Sequence, residues 1–129
     1  SFARLEGADL RDAGLEGADL SNAGLEGADL RNAGLEGTIL SAATFSKTTS
    51  FQLATLHGAG WKDVDLSMLP VSSQQLEDSF GDRSVILPDD VEGGYPAHWA
   101  QEPQPLEWEE FEKRWRAFQA SIGYRPPKP

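Results

Sequence analysis

The groups in this chain that could do chemistry are few, and most of them fall on a fixed beat. His57 and His98 are the two histidines, the first within a run of repeats and the second in "PAHW". Neither has a second histidine three or four residues away, the spacing by which one helix face grips a metal. Asp9, Asp19 and Asp29 recur every ten residues. Glu6 and Glu26 fall twenty apart, as do Glu16 and Glu36, with Arg11 and Arg31 between them. Paired carboxylates do acid–base work only when a cleft holds them around a substrate. Carboxylates on a strict period instead form mixed-charge ladders on a solvated surface. The three Asp then read as acceptors for nearby backbone N–H groups at turns. The glycines follow the same beat, so none forms a phosphate loop. No nucleophile–base pair is found, and no catalytic residue, cofactor site or metal site is expected.

The element that must carry these residues is set by a five-residue period. Leu5, Leu10, Leu15, Leu20, Leu25, Leu30, Leu35, Leu40 and Phe45 occur at every fifth position, each with a small residue two places before it. After one extra residue the series resumes as Phe51, Leu56, Trp61 and Leu66. Residues five apart on an α-helix sit roughly 140° apart, so the leucines would scatter around it. On a continuous strand every second leucine would point the wrong way. The chain must therefore turn once in each repeat. Gly7, Gly17, Gly27 and Gly37 alternate with Asp12, Asn22 and Asn32 at one repeat position. These are the residue types that tolerate a left-handed backbone. Each repeat reads as a short extended piece and a corner.

Stretches such as "ADLRDAGLEGADLSNAGLEGADLRNAGLEG" resemble the pentapeptide-repeat family, over roughly residues 3–68. The resemblance implies a mainly β fold: a right-handed square β-helix, or solenoid, with four repeats per coil and just over three coils. The central Leu or Phe of each repeat then points inward. The implied core is Leu10, Leu15, Leu20, Leu25, Leu30, Leu35, Leu40, Phe45, Phe51, Leu56, Trp61 and Leu66. The columns are Leu5, Leu25, Phe45 and Leu66; Leu10, Leu30 and Phe51; Leu15, Leu35 and Leu56; Leu20, Leu40 and Trp61. They stay intact only if the extra residue between Phe45 and Phe51 bulges outward. The aromatic residues of the last coil suggest a core that widens towards its C-terminal end.

The beat stops after Leu66, and the expected division is a β-helix over 1–69 and a capping segment over 70–129. Ser72 and Gln75 have capping-box spacing, with Val71 and Leu76 placed as a hydrophobic staple. A helix over 73–80 is expected, ended by Gly81, with Leu76 and Phe80 covering the open end of the last coil. "SVILP" reads as a short extended piece and 88–105 as a loop anchored by Tyr95, Pro96 and Trp99. A second helix is expected near 106–122, because Trp108, Phe111, Trp115, Phe118 and Ile122 form one apolar stripe. Three acid-to-base pairs at i, i+4 support it: Glu109–Lys113, Glu110–Arg114 and Glu112–Arg116. Leu76, Phe80, Trp108, Phe111, Trp115 and Phe118 are the candidate capping or docking residues.

Composition bounds the function. The 129 residues carry a net charge of −10 and no cysteine. The chain therefore has no disulfide framework and no thiolate metal site. No run is long and apolar enough to suggest membrane contact, and no basic stripe suggests nucleic-acid binding. A reducing, cytoplasmic setting is expected. The chain has no initiator Met and enters mid-pattern, which reads as a C-terminal fragment of a longer protein. Its first coil reads as an open edge able to stack end to end with a second copy. The expected role is a non-enzymatic structural or protein-interaction module with a protein partner. The resemblance also implies an alternative, since some family members modulate DNA gyrase as acidic mimics of duplex DNA.

Overall fold

Corner chemistry builds the fold one repeat at a time. In the computed structural model, Ala8 N–H donates to the Leu5 carbonyl at 2.9 Å while Gly7 sits at φ +68°. A left-handed third residue beneath such a bond is the geometry of a type II turn. Asp12, Asn22 and Asn32 take the same left-handed corner at φ 61–63°, and Ala42, Leu53 and Asp63 do so at φ 55–62°. The structure describes residues 3–91 and 94–126. Ser1 and Phe2, where the repeat pattern is entered, lie outside that range.

Between corners the extended pieces pair in parallel with the coil above. The rungs run Arg4–Gly24–Thr44, Asp9–Asp29–Ser50, Gly14–Gly34–Thr55 and Asp19–Ile39–Gly60. The offset is twenty residues, then twenty-one where a step passes the extra residue. The corner at 46–49 absorbs that residue: Thr49 N–H donates to the Ser46 carbonyl, and Ser46 Oγ accepts the Gly27 N–H at 3.0 Å. Elsewhere the equivalent N–H, that of Gly7 or Gly17, donates to a backbone carbonyl. Stacking puts Leu25, Leu30, Leu35, Leu40, Phe51, Leu56, Trp61 and Leu66 at 1% exposure or less, with Leu20 also buried. Leu5, Leu10, Leu15 and Phe45 pack against this core and are partly buried. Phe45, Phe51 and Trp61 meet edge-on or tilted, with centroids 5.6–6.3 Å apart. Each fully buried side chain of this size contributes about 1.5–3 kcal/mol.

The expected boundary at 69/70 does not hold, because the ladder continues past it. Strand β1 (Gly60–Trp61) pairs in parallel with β2 (Phe80–Gly81), and Asp65 pairs with Ile86. The repeat pattern ends where a helix replaces two faces of the next coil, while backbone pairing goes on. That helix, α1 (Ser73–Glu77), has the expected capping box, with Ser72 and Gln75 bonded reciprocally at 3.0 Å. It stops at Asp78, short of residue 80, and Gly81 belongs to β2 instead of ending a helix. Strand pairing claims these residues for the coil. Leu76 enters the main core, but Phe80 joins a second cluster with Ile39, Ala100, Phe111 and Trp115. Phe80 therefore does not help to close the end. Gln75 substitutes for a missing strand, since its Nε2 donates to the carbonyls of Phe51 and Ala54 at 2.9 and 3.0 Å. Trp99 lies across Gly81 and donates through Nε1 to the Ser79 carbonyl at 2.8 Å. Tyr95 joins it by donating to the Val85 carbonyl.

One corner is chemically out of place. Leu53 holds the left-handed conformation at φ +62° and is 73% exposed. Asn32 occupies the equivalent corner one coil earlier. A bulky residue in this region costs about 1–2 kcal/mol, and an exposed leucine recovers little of it by burial. Leu53→Asn is expected to stabilise the chain by about 1 kcal/mol, read as a higher melting temperature. A lower one would contradict the strain.

Candidate functional site

The histidines and the periodic acids do not converge. His57 is exposed on a corner. His98 stacks on Phe118 at 4.7 Å, its Nε2 lies 2.6 Å from the Ser79 carbonyl, and its Nδ1 lies 3.7 Å from Glu77. Asp9 and Asp29 each accept two side-chain hydrogen bonds from the arginine two residues on, Arg11 and Arg31, at 2.6–2.8 Å, and its backbone N–H at 3.2 Å. The Arg11 guanidinium holds the Asp9 carboxyl down at about 2 and is itself raised in return. Asp19 and Asp65 accept the backbone N–H of Ser21 and Ser67. Glu6 and Glu26 flank Gly24, and Glu16 and Glu36 flank Gly34, so the glutamates form two ladders. Among the described residues no group of three or more His, Asp or Glu is placed to hold a metal ion. No described helix is long and apolar enough to cross a membrane.

One recess lies where the C-terminal helix meets the solenoid. Helix α2 (Trp108–Ser121) is shorter than the expected 106–122, and its N-cap, Glu107, makes no side-chain cap bond. Its buried residues are Phe111, Trp115 and Gln119. Phe118 and Ile122 are half-buried, and Trp108 is 42% exposed. The buried line is thus rotated from the apolar stripe towards a glutamine. Backbone chemistry explains this: Trp115 Nε1 and Gln119 Nε2 both donate to the Gly58 carbonyl, at 2.8 and 2.9 Å. A Cβ on Gly60 would lie 2.9 Å from the Trp115 ring, so the missing side chain there seats the indole. Phe80 meets Phe111 and Phe118 at 5.4 and 5.9 Å.

A buried ion pair fixes the lead-in to α2. Lys62 and Asp82 are 5% and 1% exposed and meet at 2.9 Å. Lys62 Nζ also donates to the Leu106 carbonyl, and the Leu106 N–H donates to Asp82 Oδ2. Burial alone would raise the Asp82 carboxyl. Hydrogen bonds from Ser84, Lys62 and Leu106 outweigh it and hold the group below its ordinary value. Further along, Arg114 pairs with both Glu102 and Glu110. Of the three expected i, i+4 pairs the structure forms Glu110–Arg114. Arg116 instead donates to Gln119 Oε1 at 2.9 Å and lies 4.3 Å from the Trp115 ring centroid.

Past the helix, Tyr124 folds back onto the solenoid. Its ring covers Gly58 and Gly37, and a Cβ on Gly37 would lie 2.0 Å from the phenol oxygen. Burial raises the Tyr124 phenol. Between Tyr124, α2 and the glycine corners runs a groove of about 420 Å³, with Gly17, Asp19 and Gly37 on one wall and Trp108, Glu112 and Arg116 on the other. A second recess, of about 570 Å³, lies between the Leu53 corner and α1.

A family model described as pentapeptide repeats matches eight copies, over residues 1–37 and 25–67. Similar solved structures include alr5209, a pentapeptide repeat protein from Nostoc Pcc 7120. It is 30% identical, with 71% of this chain and 75% of that chain covered and a TM-score of 0.43. No curated protein matches the chain.

Proposed function

Because this chain belongs to the pentapeptide-repeat family, we propose that it is a non-enzymatic protein-interaction module. The observation that carries the reading is a solenoid interior filled with Leu, Phe and Trp side chains. The acids able to serve chemistry are taken up in part by ladders and by pairs with Arg11 and Arg31. What remains for function is surface: charged faces, two grooves, and the apolar side chains of Leu53, Met68, Ile86 and Trp108 left in solvent. Trp108 and Leu53 each line a recess that also holds polar residues, the setting in which exposed apolar surface marks a contact site. The test is a photo-crosslinking residue placed at Trp108, at Leu53 and at Asp9 in cells that make the protein. One reproducible protein adduct from Trp108 or Leu53, and none from Asp9, is expected. No adduct from any position would contradict the module.

The charge arrangement also argues against mimicry of duplex DNA. DNA presents one charge per 1.7 Å of axis, whereas Arg11 and Arg31 neutralise Asp9 and Asp29 on this surface. Coils stacked at the inter-strand spacing give a ladder only about 15–20 Å long. Gyrase supercoiling at moderate salt is expected to continue unchanged with micromolar protein present. Clear inhibition, or protection from a quinolone, would put mimicry in place of this reading.

A further inference from the structure

We propose that the groove between α2 and the solenoid takes an arginine or lysine side chain from an extended basic segment of a partner protein. The inference rests on the module reading and gives it a site. Three observations meet there.

The first is a difference among equivalent acids. Asp9 and Asp29 are followed two residues on by arginine and are ion-paired. Asp19 holds the same repeat position but is followed by Ser21, whose backbone N–H donates to Oδ1 at 2.9 Å. Across the groove, Glu112 is spaced to pair with Arg116, yet Arg116 turns to Trp115 and Gln119. Among the described residues, neither Asp19 nor Glu112 makes an ion pair, and both line the groove. The second observation is aromatic. Trp108 stacks on Phe111 at 5.7 Å, yet stays 42% exposed at the groove wall. Tyr124 lines the same groove, its ring seated on the Gly37 corner. A cation over an aromatic face with a carboxylate beside it is attracted by both. Arg116 over Trp115 shows the same stacking within this chain. The third is the net charge of −10, which draws basic segments towards the surface and speeds their encounter. Arginine suits the site better than lysine, because its planar group stacks and hydrogen-bonds at once.

The test uses the full chain, also in a Lys128→Ala background so that its own terminal cation cannot compete. The probe is an amidated peptide of alternating Gly and Arg; the control carries Glu in place of Arg. Binding is followed by the Trp108 indole N–H resonance and by tryptophan fluorescence. The Arg peptide is expected to shift Trp108, with an affinity that falls as salt rises, and the Glu peptide to do nothing. Trp108→Ala should weaken binding about three- to fivefold and Asp19→Asn about two- to fivefold. Asp9→Asn, outside the groove, should leave it unchanged. Trp108→Phe keeps an aromatic face and should recover much of the loss, which separates recognition from damage to the fold. An unmoved Trp108 resonance at saturating peptide would overturn the proposal. So would equal weakening by Asp9→Asn, which would mean diffuse attraction to an acidic surface. Either result leaves the module standing if crosslinking still finds a partner on another face.

Discussion

Leu30→Asp is expected to unfold the chain. Leu30 is fully buried, and the rungs that carry it place Leu10 below and Phe51 above. An aspartate there has no cation within the apolar column. Burying an unpaired carboxylate costs several kcal/mol even after its pKa rises to meet the site, against about 5–15 kcal/mol for a whole domain. Glu26→Ala, on the outward surface of the same coil, is the matched control. Its Oε1 has no hydrogen-bond partner in the structure, so its loss should move stability by only about 0.5 kcal/mol. Comparable melting of the two variants would contradict the inward columns.

Trp115→Ala should be nearly as damaging although it lies far outside the repeats. Trp115 is 2% exposed, sits on Gly60 and donates to the Gly58 carbonyl. Removing a large buried aromatic costs about 3–5 kcal/mol. The Gly58 carbonyl loses one of its donors but keeps Gln119. Thermal and urea unfolding both read the loss. An unchanged melting curve would mean that α2 does not brace the solenoid.

The solenoid was legible because every repeat restates the same chemistry. An inward Leu or Phe, a small residue before it and a Gly, Asp or Asn at the corner are all side-chain signals, and most corners use them as read, Ala42 and Leu53 being exceptions. What followed Leu66 was harder to see, because ladder pairing is made by backbone and leaves no side-chain trace. Gly81 looked like a helix terminator but is a strand residue. Phe80 looked like part of a lid, yet it supports α2. Both follow from α1 ending at Asp78 so that strand pairing could resume. Gln75 was read only as half of a capping box and Gln119 not at all, because the solenoid carbonyls that they cap exist only once the fold has formed. Lys62 was not singled out in the sequence. Its distance of twenty residues from Asp82, one coil in this fold, was the signal that could have paired them. Trp108 was placed in the apolar stripe, but the pull of the Gly58 carbonyl on Gln119 turns the helix and leaves that indole exposed.

The central claim is that residues beyond 69 complete the solenoid instead of standing beside it. The most direct measurement is unfolding of residues 1–69 compared with the full chain, followed by circular dichroism and by Trp61 fluorescence. Residues 70–129 supply β2, Gln75, Trp99 and Trp115, which together cover the last coil. The account predicts one cooperative transition for the full chain. It also predicts that the shortened chain loses cooperativity and exposes Trp61 to water. A shortened chain that melts sharply at the temperature of the full chain, with Trp61 still buried, would contradict it.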